Sequence, residues 1–561
     1  MTFYGTLAEA MRTRAQRTPQ ELALIFIGED GVEQRVTTGR FHEQALKYAC
    51  TLQQNGVQSG DVVVLVLRHA TALLYAFWGA LYLGAIPSIF PFLTEKLDET
   101  IYSRQVLSMA AHAQARAVVT YPEFKRQLAE LLSDIPCPVL DIDELHSAPC
   151  ESSAADHWPS VQPEAIAFLQ HSSGTTGLQK GVALSHRAVL NQIRAYGLAI
   201  DLQSGDIIVS WLPLYHDMGL IAGFIMPLVM GAPVVLLSPF YWVRDPITLF
   251  RALHLYRGTL CWLPNFAYNH CLRGIRQSDL QGLDLSRWRM TINCSEPVRH
   301  DSQQEFLKRF APHGLRAEAL ATCYAMAENT FAVTQSTPGQ EARIDWVDRE
   351  LLQREGRAAP RTAGSAGAIA VVSCGHSISG TVVQVVDNAG RCVGERIVGE
   401  VWIRSNCMLD AYYRRPNLTS EVLHNDGYLS GDMGYLADEE LYITGRKKDL
   451  IIAGGKNVYP QDVEALATGV EGIYPGRAVA FGVVDERLGT EAIVLVCELT
   501  GDTCVVRHRL IETELRQRIL HHLGVTLRDV RLVNGRWLLK TSSGKVARSL
   551  NRDRYLQEFR T

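Results

Sequence analysis

Apolar and polar positions follow two rhythms along this chain. Over Phe41–Asn55 the apolar residues recur at helical spacing, which predicts an amphipathic helix. Asp61–Leu67 (DVVVLVL) is a continuous apolar run of strand length, and Ala117–Thr120 reads as a shorter strand. The alternation continues through Ile207–Trp211 and Val234–Leu237, a pattern that predicts parallel α/β layers. From about residue 365 strands dominate, at Thr381–Val386, Val398–Arg404 and Leu441–Ile443. A short charged linker, Gly445–Asp449, precedes a compact α+β segment with strands at Arg477–Val484 and Glu491–Leu499 and a helix at Arg507–Leu523. The organisation expected is a large N-terminal domain, residues 1–447, of mixed α/β layers with a β-rich part, and a small α+β domain, residues 448–561.

Two apolar stretches, Thr71–Phe92 and Gly219–Leu237, have the length of a membrane span. Gly84, Pro87 and Pro91 interrupt the first, and Pro227, Gly231 and Pro233 the second. A helix followed by a short buried strand is expected in each, with no integral membrane span. The 561 residues exceed what one hydrophobic core serves, which supports at least two domains. With 55 basic and 59 acidic residues the net charge is -4, so electrostatics gives no reason to expect a nucleic-acid partner. The 12 cysteines form no Cys-x-x-Cys pair, and reduced, buried thiols are expected. The opening MTFYGTLAEAMRTRAQ lacks the apolar core of a signal peptide, so a cytoplasmic protein is expected.

The densest candidate chemistry is His171-Ser-Ser-Gly-Thr-Thr-Gly-Leu-Gln-Lys-Gly-Val182, which follows the apolar strand Ala165–Leu169. Glycines let backbone N–H groups approach phosphate, hydroxyls donate further bonds, and Lys180 adds charge. A flexible Ser/Gly turn has the same composition, and the spacing is not that of a Walker loop. Leu212-Pro-Leu-Tyr-His-Asp-Met-Gly219 places His216 and Asp217 in an apolar setting, where a core histidine satisfied by its neighbour is the plainer expectation. Asn293-Cys-Ser-Glu-Pro-Val-Arg299 is a polar turn after a strand-like run. In Cys323-Tyr-Ala-Met-Ala-Glu328, Tyr324 can stack on a base and Glu328 can hold Mg²⁺, although the stretch equally suits a helix start. Asp426–Asp432 and Thr444–Asp449 add an acid, Asp432, able to accept both hydroxyls of a ribose. Lys540-Thr-Ser-Ser-Gly-Lys545 closes the series with a lysine on a Gly/Ser loop.

In order and content these stretches resemble the adenylate-forming superfamily of acyl-CoA synthetases, luciferases and non-ribosomal adenylation domains, over nearly the whole chain. The resemblance implies the adenylating fold of that superfamily, with a mobile C-terminal domain. It implies that Ser172, Ser173, Gly174, Thr175, Thr176, Gly177 and Lys180 bind ATP phosphates. By the same resemblance Ser295, Glu296 and Pro297 line the adenine, Tyr324 stacks on it, and Asp432 and Arg446 hold the ribose. The resemblance likewise makes Glu328 the Mg²⁺-linked acid and Lys448 the hinge. It implies that Lys545 bridges the carboxylate and the α-phosphate, and the catalytic set expected is Lys545, Glu328, His216 and Thr175. His216, Met218, Gly223, Phe266 and Ala325 would line an acyl pocket.

Within the superfamily, Leu214–Leu220, Pro264–Tyr268, Leu283–Trp288 and Val372–Gly375 resemble the fatty acyl-AMP ligases. The extra length near Glu341–Ala370 falls where that branch carries an insertion, and a long surface loop is the alternative. The branch implies a fatty acid, ATP, Mg²⁺ and transfer to a separate acyl carrier protein. An acyl-CoA synthetase using free CoA is the alternative for the acceptor, and an aryl acid the alternative for the acid. Gln179, Ala325, Cys294-Ser295 and Leu539 depart from the usual residues, but no charged catalytic group is lost.

Overall fold

The computed structural model describes residues 4–93, 99–147, 158, 160–172, 180–424, 426–453, 456–485, 490–501, 505–541 and 545–559. Among them, two large sheets carry the N-terminal part. One has nine strands in the order His376–Ser377, Ala332–Gln335, Leu320–Ala325, Met290–Asn293, Leu260–Leu263, Ile208–Ser210, Val234–Leu237, Leu22–Ile27, Glu33–Thr37. The other has seven, from Ala411–Tyr412 through Lys180–Ser185, Ile166–Ser172, Ile86–Ile89, Val62–Leu65 and Ala117–Thr120 to Val139–Asp141. A five-stranded antiparallel sheet follows, built on Thr381–Val386, Gly399–Ser405, Gly427–Ala437 and Glu440–Arg446 with the short Leu423–His424. Ile473–Asp485, Thr490–Leu499 and Leu527–Val533 make a three-stranded sheet near the C-terminus.

Both long apolar stretches resolve into helix and strand. Thr71–Leu83 is followed by Ile86–Ile89, and Met218–Ile225 and Met226–Met230 by Val234–Leu237. A helix apolar on every side has no face suited to water, and Thr71–Leu83 is buried from Ala72 onward. Its Phe77 and Trp78 pack on Phe224, at 6.1 and 5.8 Å between ring centroids, and Phe77 also meets Phe168. No helix among the described residues is long and apolar enough to cross a membrane.

Two sequence-based expectations change, and one pairing is new. Leu22–Ile27 pairs antiparallel with Glu33–Thr37 and in parallel with Val234–Leu237, a partner no local periodicity can name. The Glu341–Ala370 region is not a plain surface loop. Ile344–Asp348 and Ala368–Val372 pair antiparallel, with the helix Arg349–Glu355 between them. Asp345 fastens this unit by accepting from Arg396 at 2.8 Å and from Tyr435 Oη at 2.9 Å. Finally, Cys50 is disulfide-bonded, whereas Cys261, Cys271, Cys294 and Cys323 are free and buried as expected.

Among the described residues from 451 onward, apolar side chains pack around Val463, Leu495, Leu515 and Ile519 on one side of the three-stranded sheet and around Val479, Val494 and Tyr555 on the other.

The helices Thr38–Gln54 and Thr71–Leu83 cross closely at Gly79. A methyl there would lie 2.8 Å from the Ala45 carbonyl oxygen and from Tyr48 Cβ. Gly79→Ala is therefore expected to cost about 1–3 kcal/mol through overpacking, despite alanine's better helix propensity. Denaturant unfolding checks this, and an unchanged or raised midpoint would contradict the crossing.

Candidate active site

Parallel strands present their carboxyl ends to a common crevice, where side chains from several loops can meet. Here Met290–Asn293 runs into the turn Cys294–Arg299, and the neighbouring Leu320–Ala325 carries Tyr324. Asn265, at the start of the helix after Leu260–Leu263, ties the turn down. Its Oδ1 accepts from Asn293 Nδ2 at 3.2 Å and from Arg299 N at 3.1 Å. Glu296 Oε2 accepts from the backbone N–H of Phe266 at 2.9 Å. Ser295 adopts a left-handed backbone, φ 68°, which is uncommon for a residue with a side chain. Its carbonyl oxygen accepts from Lys545 Nζ at 2.8 Å, across 250 residues of sequence. Pro297 lies in the same turn.

A second cluster joins the nine-stranded and five-stranded sheets. Asp432 and Arg446 are register partners on adjacent antiparallel strands, so their side chains emerge together. Asp432 Oδ1 accepts from Arg446 Nε at 3.1 Å and Oδ2 from the Tyr324 hydroxyl at 2.6 Å. The Asp432 charge holds the Arg446 guanidinium firmly protonated. Each carboxylate oxygen retains a lone pair beyond these bonds, enough for a vicinal diol.

A third group gathers charge. Glu328, in the turn Ala327–Asn329, accepts from the Tyr412 hydroxyl at 2.8 Å. Lys180 Nζ lies 4.7 Å from the centre of the Tyr412 ring, so one tyrosine is contacted by both the anion and the cation. Ser172 and Lys180 are register partners across an antiparallel pair. Ser173, Gly174, Thr175, Thr176 and Gly177 lie outside the described residues. His216 Nε2 is buried without a hydrogen-bond partner among the described residues. Burial, with a lesser push from Lys545, lowers its pKa to about 3, so the ring is neutral at pH 7. Burial raises Asp217 to about 6, opposed by the Met218 N–H and Lys545 and aided by Glu328. His216, Asp217, Glu328 and Lys545 thus share one electrostatic site.

Beside it runs an apolar wall. Met218–Ile225 is a π-helix, entirely buried, whose wide turn lets its backbone press against the preceding loop. A methyl at Gly219 would come within 2.3 Å of the Pro213 carbonyl oxygen. Met218 contacts the Cys294 thiol, and Gly223 packs against Ser210. Ala325 is half-buried at the end of its strand. Phe266 differs from a fully buried pocket residue: it is 42% exposed, with edge-to-face ring contacts to Trp211 and Trp242. Lys448 sits in the short 3₁₀ turn Lys447–Asp449, and burial lowers its pKa. Its neighbours are anchored in opposite directions, Lys447 to Glu400 at 2.8 Å and Asp449 to Arg548 at 2.7 Å.

Two contributors escaped the sequence reading. Tyr412 stands in a run, Leu409-Asp-Ala-Tyr-Tyr413, with no chemical signature of its own. Asn265 is one amide among many until the turn it fastens is seen. Among the described residues no group of three or more His, Cys, Asp or Glu could hold a metal by itself. A single carboxylate such as Glu328 suits Mg²⁺ that takes its remaining ligands from phosphates and water.

The crevice thus gathers a buried tyrosine, a carboxylate paired with an arginine, and a lysine brought in from a separate core. The AMP-binding enzyme family matches residues 11–413, and the chain belongs to that family. It is 30% identical over 576 residues to the medium-chain-fatty-acid–[acyl-carrier-protein] ligase JamA of Moorena producens, covering 99% of this chain and 95% of the relative. It is 30% identical over 583 residues to a 4-hydroxyphenylalkanoate adenylyltransferase of Mycobacterium tuberculosis, covering 98% and 92%. A solved chain from studies of the fatty acyl-adenylate ligases of E. coli and L. pneumophila superposes with a TM-score of 0.91 at 28% identity, covering 99% and 98%. The protein is an adenylating ligase.

Burial also sets the acid response. His69, His171 and His186 are pushed to about 4 and His216 to about 3, while unfolded histidine titrates near 6.5. Between those values the unfolded chain binds more protons, so stability falls as pH drops from about 6.5 to 4, by up to ~1.4 kcal/mol per histidine per pH unit. Asp217, raised rather than lowered, offsets part of this. The urea midpoint is expected to be lower at pH 5 than at pH 7, and equal midpoints would refute the burial argument.

Proposed function

We propose that this chain uses ATP to convert a medium- or long-chain fatty acid to acyl-AMP and passes the acyl group to the phosphopantetheine thiol of a separate acyl carrier protein. The observation that carries the first step is the reach of Lys545 to the Ser295 carbonyl, beside Glu328 and His216. In that step a substrate carboxylate oxygen attacks the α-phosphorus and pyrophosphate leaves, so two anions must approach each other. Lys545 is the cation aimed at the meeting point, and Lys180 the one nearest the departing phosphates. Such preorganised charge lowers the barrier because it needs no reorganisation as charge develops. Mg²⁺ held through Glu328 would supply further neutralisation of phosphate charge. Tyr324 would stack on the adenine, with Ser295, Glu296 and Pro297 along its edge and Asp432 and Arg446 on the ribose. Neutral His216 suits the mouth of an acyl pocket better than an imidazolium, which would hold the carboxylate as a static ion pair.

In the second step the thiol sulfur attacks the acyl carbon, AMP leaves and the thiol proton is released. Lys448 is the proposed pivot between a domain of residues 1–447 and one of residues 448–561, exchanging the lysine loop for the acceptor face. The apolar wall at Met218, Gly223, Phe266 and Ala325 favours an alkyl chain, at about 0.8 kcal/mol per buried CH₂. The carrier protein is favoured over CoA by the folded unit around Glu341–Ala370, whose helix Arg349–Glu355 packs beside Lys456–Val458 of the C-terminal part. The likeness to JamA supports the same acceptor.

Incubation with ATP, Mg²⁺ and a fatty acid, with CoA and a phosphopantetheinylated carrier in parallel, tests both steps. Acyl-AMP is expected to persist with CoA and to be consumed by the carrier. Rapid acyl-CoA formation would make the protein a CoA ligase instead. Lys545→Ala is expected to slow adenylate formation by about 10²–10³-fold, measured by pyrophosphate exchange.

A further inference from the structure

Among the described residues, one buried side chain bonds to both ends of the loop that brings Lys545 to the crevice. Asn551 lies in the helix Arg548–Phe559 and is 0% exposed. Its Oδ1 accepts from Leu539 N at 2.8 Å. Its Nδ2 donates to the carbonyl oxygens of Leu539 and Ala547, both at 2.8 Å. Leu539 enters the loop and Ala547 leaves it, and they also bond directly, Ala547 N to Leu539 O at 3.0 Å. Farther in, Lys540 and Val546 form an antiparallel bridge, and Thr541 N donates to the Lys545 carbonyl at 2.7 Å. One amide therefore clamps both ends of the segment, at Leu539, six residues before Lys545, and at Ala547, two residues after it.

The choice of residue is specific. A buried amide is costly unless its donors and acceptor are used, and here both N–H groups and the oxygen are engaged. Asparagine is also a poor helix former, so helix stability does not favour it. An aliphatic residue of similar size would fill the space and leave the backbone N–H and C=O of Leu539 without these partners.

We propose that Asn551 is a positioning residue for adenylate formation, acting through the backbone of Leu539 and Ala547 to set where Lys545 Nζ stands. This rests on the role given to Lys545 above. Small displacements of a well-aimed group are costly: about 1 Å can cost ~10²-fold in rate.

The full chain carrying Asn551→Ala, Asn551→Asp, Lys545→Ala, or Lys545→Ala with either Asn551 change decides it. Asn551→Asp keeps the volume and the bond from Leu539 N but loses both donors, and is the variant read if alanine does not fold. Adenylate formation is measured by pyrophosphate exchange, and the second step separately by transfer from supplied acyl-AMP to the thiol acceptor. Both single Asn551 variants are expected to lose about 10²-fold in adenylation kcat with little change in KM for ATP, and to keep transfer within about twofold. In the Lys545→Ala background the Asn551 change should cost nothing more. Unchanged adenylation, losses that multiply with that of Lys545→Ala, equal loss of both steps, or failure of both variants to fold would each overturn it. Unchanged adenylation in Lys545→Ala alone would instead sink the assignment of the lysine.

Discussion

The hydrogen bond from Lys545 Nζ to the Ser295 carbonyl joins two parts of the molecule that otherwise build separate cores. Much of the site's geometry serves this meeting. Asn265 and Glu296 hold the turn that presents the carbonyl, and Asn551 closes the loop that presents the ammonium. The charge itself bears on Asp217 and His216, helping one stay ionised and the other stay neutral. A lysine placed this way is useful to a reaction in which anions must be brought together, because its field acts where water is partly excluded.

The surrounding charges are arranged in pairs rather than spread evenly. Asp432 faces Arg446 and receives the Tyr324 hydroxyl, and Glu328 and Lys180 flank Tyr412. Pairing limits the cost of holding ions in a partly buried crevice, while carboxylate lone pairs are left for a ligand. The apolar wall of Met218–Ile225 lies immediately after His216 and Asp217, so charged groups and apolar wall meet within a few residues of chain. The π-helical turn there fits Gly219 against Pro213, a contact a larger residue would break.

Around Lys448 the chain is anchored from both sides. Lys447 holds Glu400 of the five-stranded sheet, and Asp449 holds Arg548, which also binds Glu464. Rotation at Lys448, in the hinge role proposed above, would leave each of these ion pairs within its own part of the chain. The helix Arg349–Glu355 stands beside Lys456–Val458, so the inserted unit touches the part that such a rotation would move.

Much was legible in the chain before any coordinates. The breaks at Gly84 and Gly231 foretold helix and strand in place of membrane spans, because glycine and proline interrupt helices locally. Asp432 and Arg446, Tyr324 and Lys545 were singled out by motif, and strand register and loop reach bring them to their partners. What the sequence determined by itself was local: element type, apolar runs and the chemistry of each short motif, which depend on neighbours a few residues apart. Only the tertiary structure decided the rest: that Leu22–Ile27 belongs beside Val234–Leu237, that Tyr412 touches Glu328, that Asn265 holds the turn, and that Asn551 clamps the lysine loop. Those contacts join residues whose individual patterns carry no mark of each other, because pairing between distant segments is set by how whole layers pack.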